Sequence, residues 1–214
     1  MVGENLDTNK EYDVGRSPYC FMRNSLAILF LACFGGSAVA EMTRYELDPD
    51  HTIVYFEVEH LGFASVLGVF TEVDGSFMYD MESSELGEVD VVIKTASVDT
   101  FNPTRNDQVK SRDILDTFNF PDISFIANGG LQEGPNRGRV TGELKIRGWS
   151  QPITLSVGLN KAARYPFGHM REVLGLSITG ELARSDFGIN FGVSNGFIGD
   201  SVTIRIETEA VRIE

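Results

Sequence analysis

The chain has 214 residues, 42% of them hydrophobic, with 31 Asp+Glu against 18 Lys+Arg and a formal net charge of −13. Length and apolar content exclude a disordered or low-complexity chain and suit one all-β domain or at most two small ones. The acidity argues against nucleic acid, whose phosphates need clustered cations, and against docking on an anionic lipid surface through a polybasic patch.

The first element along the chain is a targeting segment. Leu26-Ala-Ile-Leu-Phe-Leu-Ala-Cys-Phe34 is the one long apolar run; Arg23 precedes it and the small residues Gly35-Gly-Ser-Ala38-Val39-Ala40 follow. That is the pattern of a secretory signal peptide cleaved after Ala40, and the run is about half the ~18 residues a membrane-spanning helix needs. Residues 1–40 are therefore read as an N-terminal extension and cleavable signal, with Met22 as the expected start, and residues 41–214 as a periplasmic or secreted domain. Lipid attachment at Cys33 is disfavoured by the large Leu31. Cleavage removes Cys20 and Cys33, so the exported domain is expected to have no disulfide, thiol nucleophile or thiolate metal ligand.

From Glu41 onward apolar and polar residues alternate, the period of strands with one buried face. The first predicted strand has Val54, Phe56 and Val58 on one side and Glu57 and Glu59 on the other. Seven more follow: Val66–Asp80, Glu88–Ser97, Ile123–Ala127, Arg139–Arg147, Pro152–Leu159, Val173–Leu182 and Ser201–Arg212. Only Thr104–Thr117 lacks the period. Its few apolar residues, Val109, Ile114 and Leu115, stand among charges and predict one surface or lid helix between strands 3 and 4. No linker or repeat divides this region.

Eight antiparallel strands close most economically into a barrel, which removes open edges, or fold as a two-sheet sandwich. Glycines at 68, 75, 142, 148, 158, 175 and 180 favour closure, because sharp curvature needs residues without Cβ. Such a barrel is packed solid or holds one small elongated ligand, and alternation is common to both. A membrane-spanning barrel is disfavoured by the uneven strand lengths, the lack of aromatic girdles at strand ends and a terminus, Arg212-Ile-Glu214, without an aromatic residue.

Nine blocks in chain order carry a resemblance. They are Asp48-Pro-Asp-His51-Thr52, Phe56-x-Val58-x-His60-Leu61-Gly62, Val66-x-Gly68-x-Phe70, Gly75-x-Phe77-x-Tyr79-Asp80, Ser97-Val98-Asp99-Thr100, Arg105 to Thr117 with Asp113-Ile-Leu-Asp-Thr117, Phe120-Pro121-x-Ile123-Ser-Phe125, Gly142-Glu-Leu-Lys-Ile-Arg-Gly148 with Pro152-Ile153, and Arg184-Ser-Asp-Phe-Gly188. Together they span nearly all of residues 44–213 and resemble the YceI family of lipocalin-like polyisoprenoid-binding proteins. The resemblance implies an extended antiparallel lipocalin-like barrel whose apolar interior holds a long isoprenoid, with no established reaction. One position pair departs. After the arginine the family pattern has Asp and then, two residues later, His, whereas this chain has Asn106 and Gln108, so a head group touching them would differ.

The resemblance favours a tunnel lined by Phe56, Val58, Phe70, Phe77, Ile93, Phe125, Leu144, Leu155, Ile178 and Phe187, with His60, Arg105, Gln108 and Arg184 at the head group. The expected partner is a bound polyisoprenoid, isoprenoid quinone or other amphiphilic lipid, with no catalytic cofactor. No metal is expected, since His51, His60 and His169 lack cysteines or short-spaced partners. Ser97-x-Asp99-Thr100 reads as strand-end turn chemistry, and Arg184-Ser-Asp186 as a local ion pair or turn. No Gly-x-Ser-x-Gly occurs, and Ser, His and Asp combinations stand at chance level, so the chain is not expected to be an enzyme. Two alternatives stay open: an enzyme acting on such a lipid through His51, His60 or Asp99, and a packed partner-binding domain without ligand. Oligomeric state is left open, a homodimer included.

Overall fold

Alternating side chains demand extended backbone, and the computed structural model, which describes residues 42–213, turns these runs into strands. They are β1 (Thr43–Leu47), β2 (Ile53–His60), β3 (Ala64–Phe70), β4 (Val73–Tyr79), β5 (Leu86–Lys94), β6 (Val98–Asp99), β7 (Asp122–Ala127), β8 (Leu131–Gly134), β9 (Arg137–Ile146), β10 (Trp149–Arg164), β11 (Glu172–Ala183) and β12 (Ile198–Arg212). Among the described residues the one α-helix, α1 (Pro103–Lys110), lies between β6 and β7. The expected signal peptide, its cleavage after Ala40, Cys20 and Cys33 lie outside the described residues.

β1 pairs with both β4 and β12, and that closes the ring β1-β4-β5-β7-β9-β10-β11-β12 into the expected eight-stranded antiparallel barrel. The other segments extend the wall at one end, where β12 pairs with β2, β2 with β3 and β3 with β6. β1 and β2 thus act as one strand bent at the 3₁₀ turn Pro49–His51, and β3 and β4 as one strand broken at Thr71–Glu72. The predicted continuous strand Val66–Asp80 is corrected accordingly. Neither β1 nor the short β8 was predicted. β1 offers only Tyr45 and Leu47 as alternating apolar positions, yet Tyr45 is 1% exposed, stacked on Phe77 at 5.6 Å, and seals the ring.

The helix is also shorter than predicted. Asn102 caps it by accepting from the Arg105 N–H, and Pro103 sits in its first turn. At Ser111 the backbone turns extended, the hydroxyl donates to the Gln108 carbonyl, and the chain runs on in turns in place of the expected helix to Thr117. Leu115, 7% exposed, pins that turn segment into the barrel wall.

Two glycines make room for the curvature. A Cβ at Gly68 would lie 2.2 Å from the Phe56 ring, and one at Gly142 would lie 2.5 Å from both the Ile126 carbonyl oxygen and the Phe125 ring. The aromatic side chains of neighbouring strands therefore lie flat across these positions. Among the described residues no helix is long and apolar enough to cross a membrane.

The two ends of the barrel are built differently. The helical end gathers α1, the β2–β3 turn, the β9–β10 turn and the segment 184–197, tied by a hydrogen bond from Leu61 N–H to the Phe197 carbonyl (3.0 Å) and by Arg147 donating to the Arg112 carbonyl (3.0 Å). The opposite end carries the β4–β5 turn, the β8–β9 hairpin and the β10–β11 loop.

Candidate functional site

Register places apolar residues opposite one another on the inner face. Val157 pairs with Ile178, Ile178 with Ile206, Ile206 with Val54, and Val54 with Phe70. In a filled core such a row would be fully covered. Instead Val157, Ile178 and Ile206 are only half-buried, as are Phe56 and Val58, because a cavity of about 420 Å³ runs along the barrel.

Phe56, Val58, Phe70, Phe77, Ile93, Phe125, Leu144, Leu155 and Ile178 all line this cavity. Phe187 does not. It is 1% exposed and packs within the 3₁₀ turn Arg184–Phe187, whose exit at Gly188 (φ +71°) directs the ring into the wall. His60, Arg105, Gln108 and Arg184, from three separate stretches of the sequence, all lie on the cavity lining at the helical end.

Their surroundings differ. His60 ends β2, exposed, and its ring makes no hydrogen bond among the described residues. Arg105 donates from Nε to Thr100 Oγ1 (3.0 Å) and from Nη2 to the Thr100 carbonyl, which fixes its guanidinium beside the mouth. Asn106 faces away from the cavity: its Oδ1 accepts from Thr100 N–H (2.7 Å) and Oγ1 (2.6 Å), and its Nδ2 donates to Asp99 Oδ1 (2.9 Å). That bond and one from the Phe101 N–H hold the Asp99 carboxyl below its ordinary range. Asn106 therefore fastens α1 to β6, and only the second departure from the resembled pattern, Gln108, reaches the cavity.

Arg184 is 6% exposed and donates to three carbonyls, Gly199 (2.7 Å), Ile198 (2.9 Å) and Ile189 (3.1 Å). Burial lowers its pKa, with Asp200 working the other way. The expected local turn is the 3₁₀ helix itself. The acid that engages it is Asp200, which accepts from the Ser185 N–H (2.9 Å) and hydroxyl (2.7 Å).

At the opposite end the cavity is lined by Ser84, Gln132, Asn136, Arg137 and Arg139, with Arg139 paired to Glu133 at 2.6 Å. Sequence reasoning missed this group. The signal was present: Gly129-Gly130 and Gly134-Pro135-Asn136 bracket the short strand β8, and the return strand of its hairpin opens on two arginines, Arg137 and Arg139. The cavity is thus apolar along its length and polar at both ends.

The three histidines do not converge. His169 accepts from the Arg171 N–H (3.0 Å) and stacks on Tyr165 at 4.8 Å. His51 Nδ1 lies 2.8 Å from Asp48 Oδ2 and 4.0 Å from Glu209 Oε2. The Asp48 hydrogen bond raises the His51 pKa above its ordinary 6.5. Asp48, although burial works the other way, is held below its ordinary 3.8 by bonds from His51 and the Asp50 N–H. The His51 contribution to stability is full below its unfolded pKa and lost as pH rises through the raised folded one. The Asp48 contribution is present above its unfolded pKa and lost as pH falls through the lowered one, so the pair acts between these limits. Asp48→Asn is expected to return the His51 NMR titration midpoint to the ordinary range at a cost below about 1 kcal/mol, because the pair is solvent-accessible; an unmoved midpoint would assign the shift to other groups.

The YceI-like domain family model matches residues 45–210. Protein YceI of Escherichia coli O17:K52:H18 is 30% identical over 194 residues, covering 89% of this chain and 99% of its own. The crystal structure of the Campylobacter jejuni YCEI protein superposes with a TM-score of 0.66 at 31% identity, covering 73% of this chain and 90% of that one. A polyisoprenoid binding domain from Saccharophagus degradans, implicated in plant cell wall breakdown, shares the fold with a TM-score of 0.58 at 16% identity, covering 79% and 98%.

Proposed function

This chain belongs to the YceI-like family, and from that premise we propose that it is an exported carrier which sequesters or transports a polyisoprenoid, an isoprenoid quinone or a similar long-chain amphiphile along the barrel axis. The observation that carries this reading is the cavity of about 420 Å³ with its continuous apolar wall. Burying about fifteen methylene equivalents there contributes roughly 12 kcal/mol gross, less several for lost freedom, so micromolar or tighter binding needs few polar contacts. Phe56, Val58, Phe70, Phe77, Ile93, Phe125, Leu144, Leu155 and Ile178 contact the chain of the ligand, and His60, Arg105 and Gln108 meet its head group. Arg184 serves mainly as framework, since its donors are engaged by backbone. Export rests on Arg23, the apolar run 26–34 and Ala38-x-Ala40.

The name of the Saccharophagus degradans neighbour supports the class of ligand. The open axis speaks against a packed partner-binding domain. Of the residues an enzyme reading would use, His51 and Asp99 are engaged by protein groups and do not line the cavity, which leaves only His60 there. Organic extraction of the purified protein followed by mass spectrometry is expected to yield a stoichiometric long-chain lipid. Protein that comes out empty and also takes up no added polyprenol or quinone would overturn the carrier reading.

A further inference from the structure

We propose that the helical end of the barrel docks on a phospholipid bilayer through a rim of exposed aromatic side chains that surrounds the tunnel mouth. The inference rests on the carrier reading, because a water-avoiding cargo has to be drawn from a bilayer and returned to one. Separate segments supply the rim: Phe63 from the β2–β3 turn is 89% exposed, Phe101 and Phe118 on either side of α1 are 71% and 91% exposed, Trp149 at the β9–β10 turn is 58% exposed, and Phe191 and Phe197 before β12 are 44% and 55% exposed. The sequence shows no aromatic girdle at strand ends because these residues are scattered along it; folding brings them to one end. The segments are cross-linked there. Arg147 donates to the Gly188 carbonyl (3.2 Å) as well as to that of Arg112, and the Trp149 indole lies so close over Gly188 that a Cβ would meet it at 2.9 Å. So many large aromatic side chains on one face of a protein mark a partner surface, and rings of this kind prefer the headgroup depth of a bilayer.

The segments between strands at this end carry Arg105, Lys110, Arg112, Arg147 and Arg184 against Asp107, Asp113, Asp116 and Asp186. In a chain of net charge −13 the loops that bear the aromatics are therefore close to neutral and do not themselves repel an anionic lipid surface. The mouth within the rim is flanked by His60, Arg105 and Gln108, so a lipid can pass from bilayer to tunnel without crossing open water.

Trp149 is the only tryptophan of the chain, and it sits in the rim, so its fluorescence reads docking directly. In the full chain the apolar run 26–34 can itself partition into lipid, which makes Trp149 emission, rather than flotation, the proper readout. Vesicles of phosphatidylcholine, alone or doped with phosphatidylglycerol, are expected to shift the emission to shorter wavelength, and lipids brominated on their acyl chains to quench it. The variant Phe63→Ser/Phe118→Ser, which alters only solvent-exposed side chains, is expected to weaken the vesicle response at least about tenfold while still binding a short-chain quinone. Emission unmoved by either vesicle overturns the docking proposal, and if extracted protein still holds lipid, the carrier reading survives that failure. Vesicle quenching of a protein that binds no lipid or quinone sustains docking and overturns the carrier reading instead. Emission that shifts with protein concentration and not with vesicles assigns the rim to a second copy of the chain and also overturns the proposal.

Discussion

Ile178→Trp is expected to lower affinity for a long-chain quinone or polyprenol by at least about 100-fold while leaving the barrel folded. Ile178 lies on the inner face in the middle of β11, between Val157 and Ile206, and is half-buried only because the cavity lies in front of it. An indole there occupies the axis without displacing wall residues. A lipid chain would forfeit about four to six methylene contacts, each contributing about 0.8 kcal/mol, which is a loss of roughly 3 to 5 kcal/mol. Stability is expected to hold or rise, since filling a void restores lost contacts. Thr179→Trp supplies the control. The neighbouring residue points to the outer, exposed face of the same strand, so its substitution should leave binding unchanged. Lipid retention and denaturant midpoint measured on both variants decide the matter; a stable Ile178→Trp protein that binds like the parent would place the ligand outside the tunnel.

The contrast between these adjacent residues also explains how much was legible in the sequence. Period-two alternation identified the inner face, because a strand assigns alternate residues to opposite sides whatever their neighbours are. Hence Phe56, Phe125 and Ile178 could be placed on the lining before any coordinates. Alternation is silent on whether opposing walls touch, and hollowness came from the resemblance and then from the cavity. It is silent too on short strands: β1, with two apolar positions, closes the ring through its pairing with β4 and β12, contacts remote in sequence. Phe187, at an odd position where Leu176, Ile178 and Leu182 alternate on even ones, lies out of the phase of β11; it packs into the wall from a 3₁₀ turn, where three residues per turn replace two. Head-group candidates were found as family positions, yet the burden each carries was visible only in hydrogen bonds. Asn106 ties α1 to β6, while Arg105 and Gln108, from the same helix, reach the mouth.

Arg184 is where framework and recognition are most easily confused, and Arg184→Met separates them. The side chain lines the mouth, which invites a ligand role. Its three bonds to the Gly199, Ile198 and Ile189 carbonyls instead make it the clasp that holds the segment after β11 against the start of β12. Methionine keeps much of the apolar stem and removes every donor. Buried acceptors left unpaired cost about 1 to 3 kcal/mol each where water cannot reach them. Part of that is offset by no longer desolvating a guanidinium, the burial that already depresses its pKa. A net loss of about 3 kcal/mol is expected, read as a lowered denaturant midpoint at unchanged slope. Amide exchange should accelerate in residues 185–200, whose hydrogen bonds the clasp protects, and not in β5 or β7 across the barrel. Arg184→Lys keeps the charge but cannot reach three divergent carbonyls, so it should fall between the two proteins in stability. A charge-dependent ligand contact predicts the reverse: lysine near parental affinity, methionine weak in binding, and both near parental stability. That result would move Arg184 from the framework to the binding site.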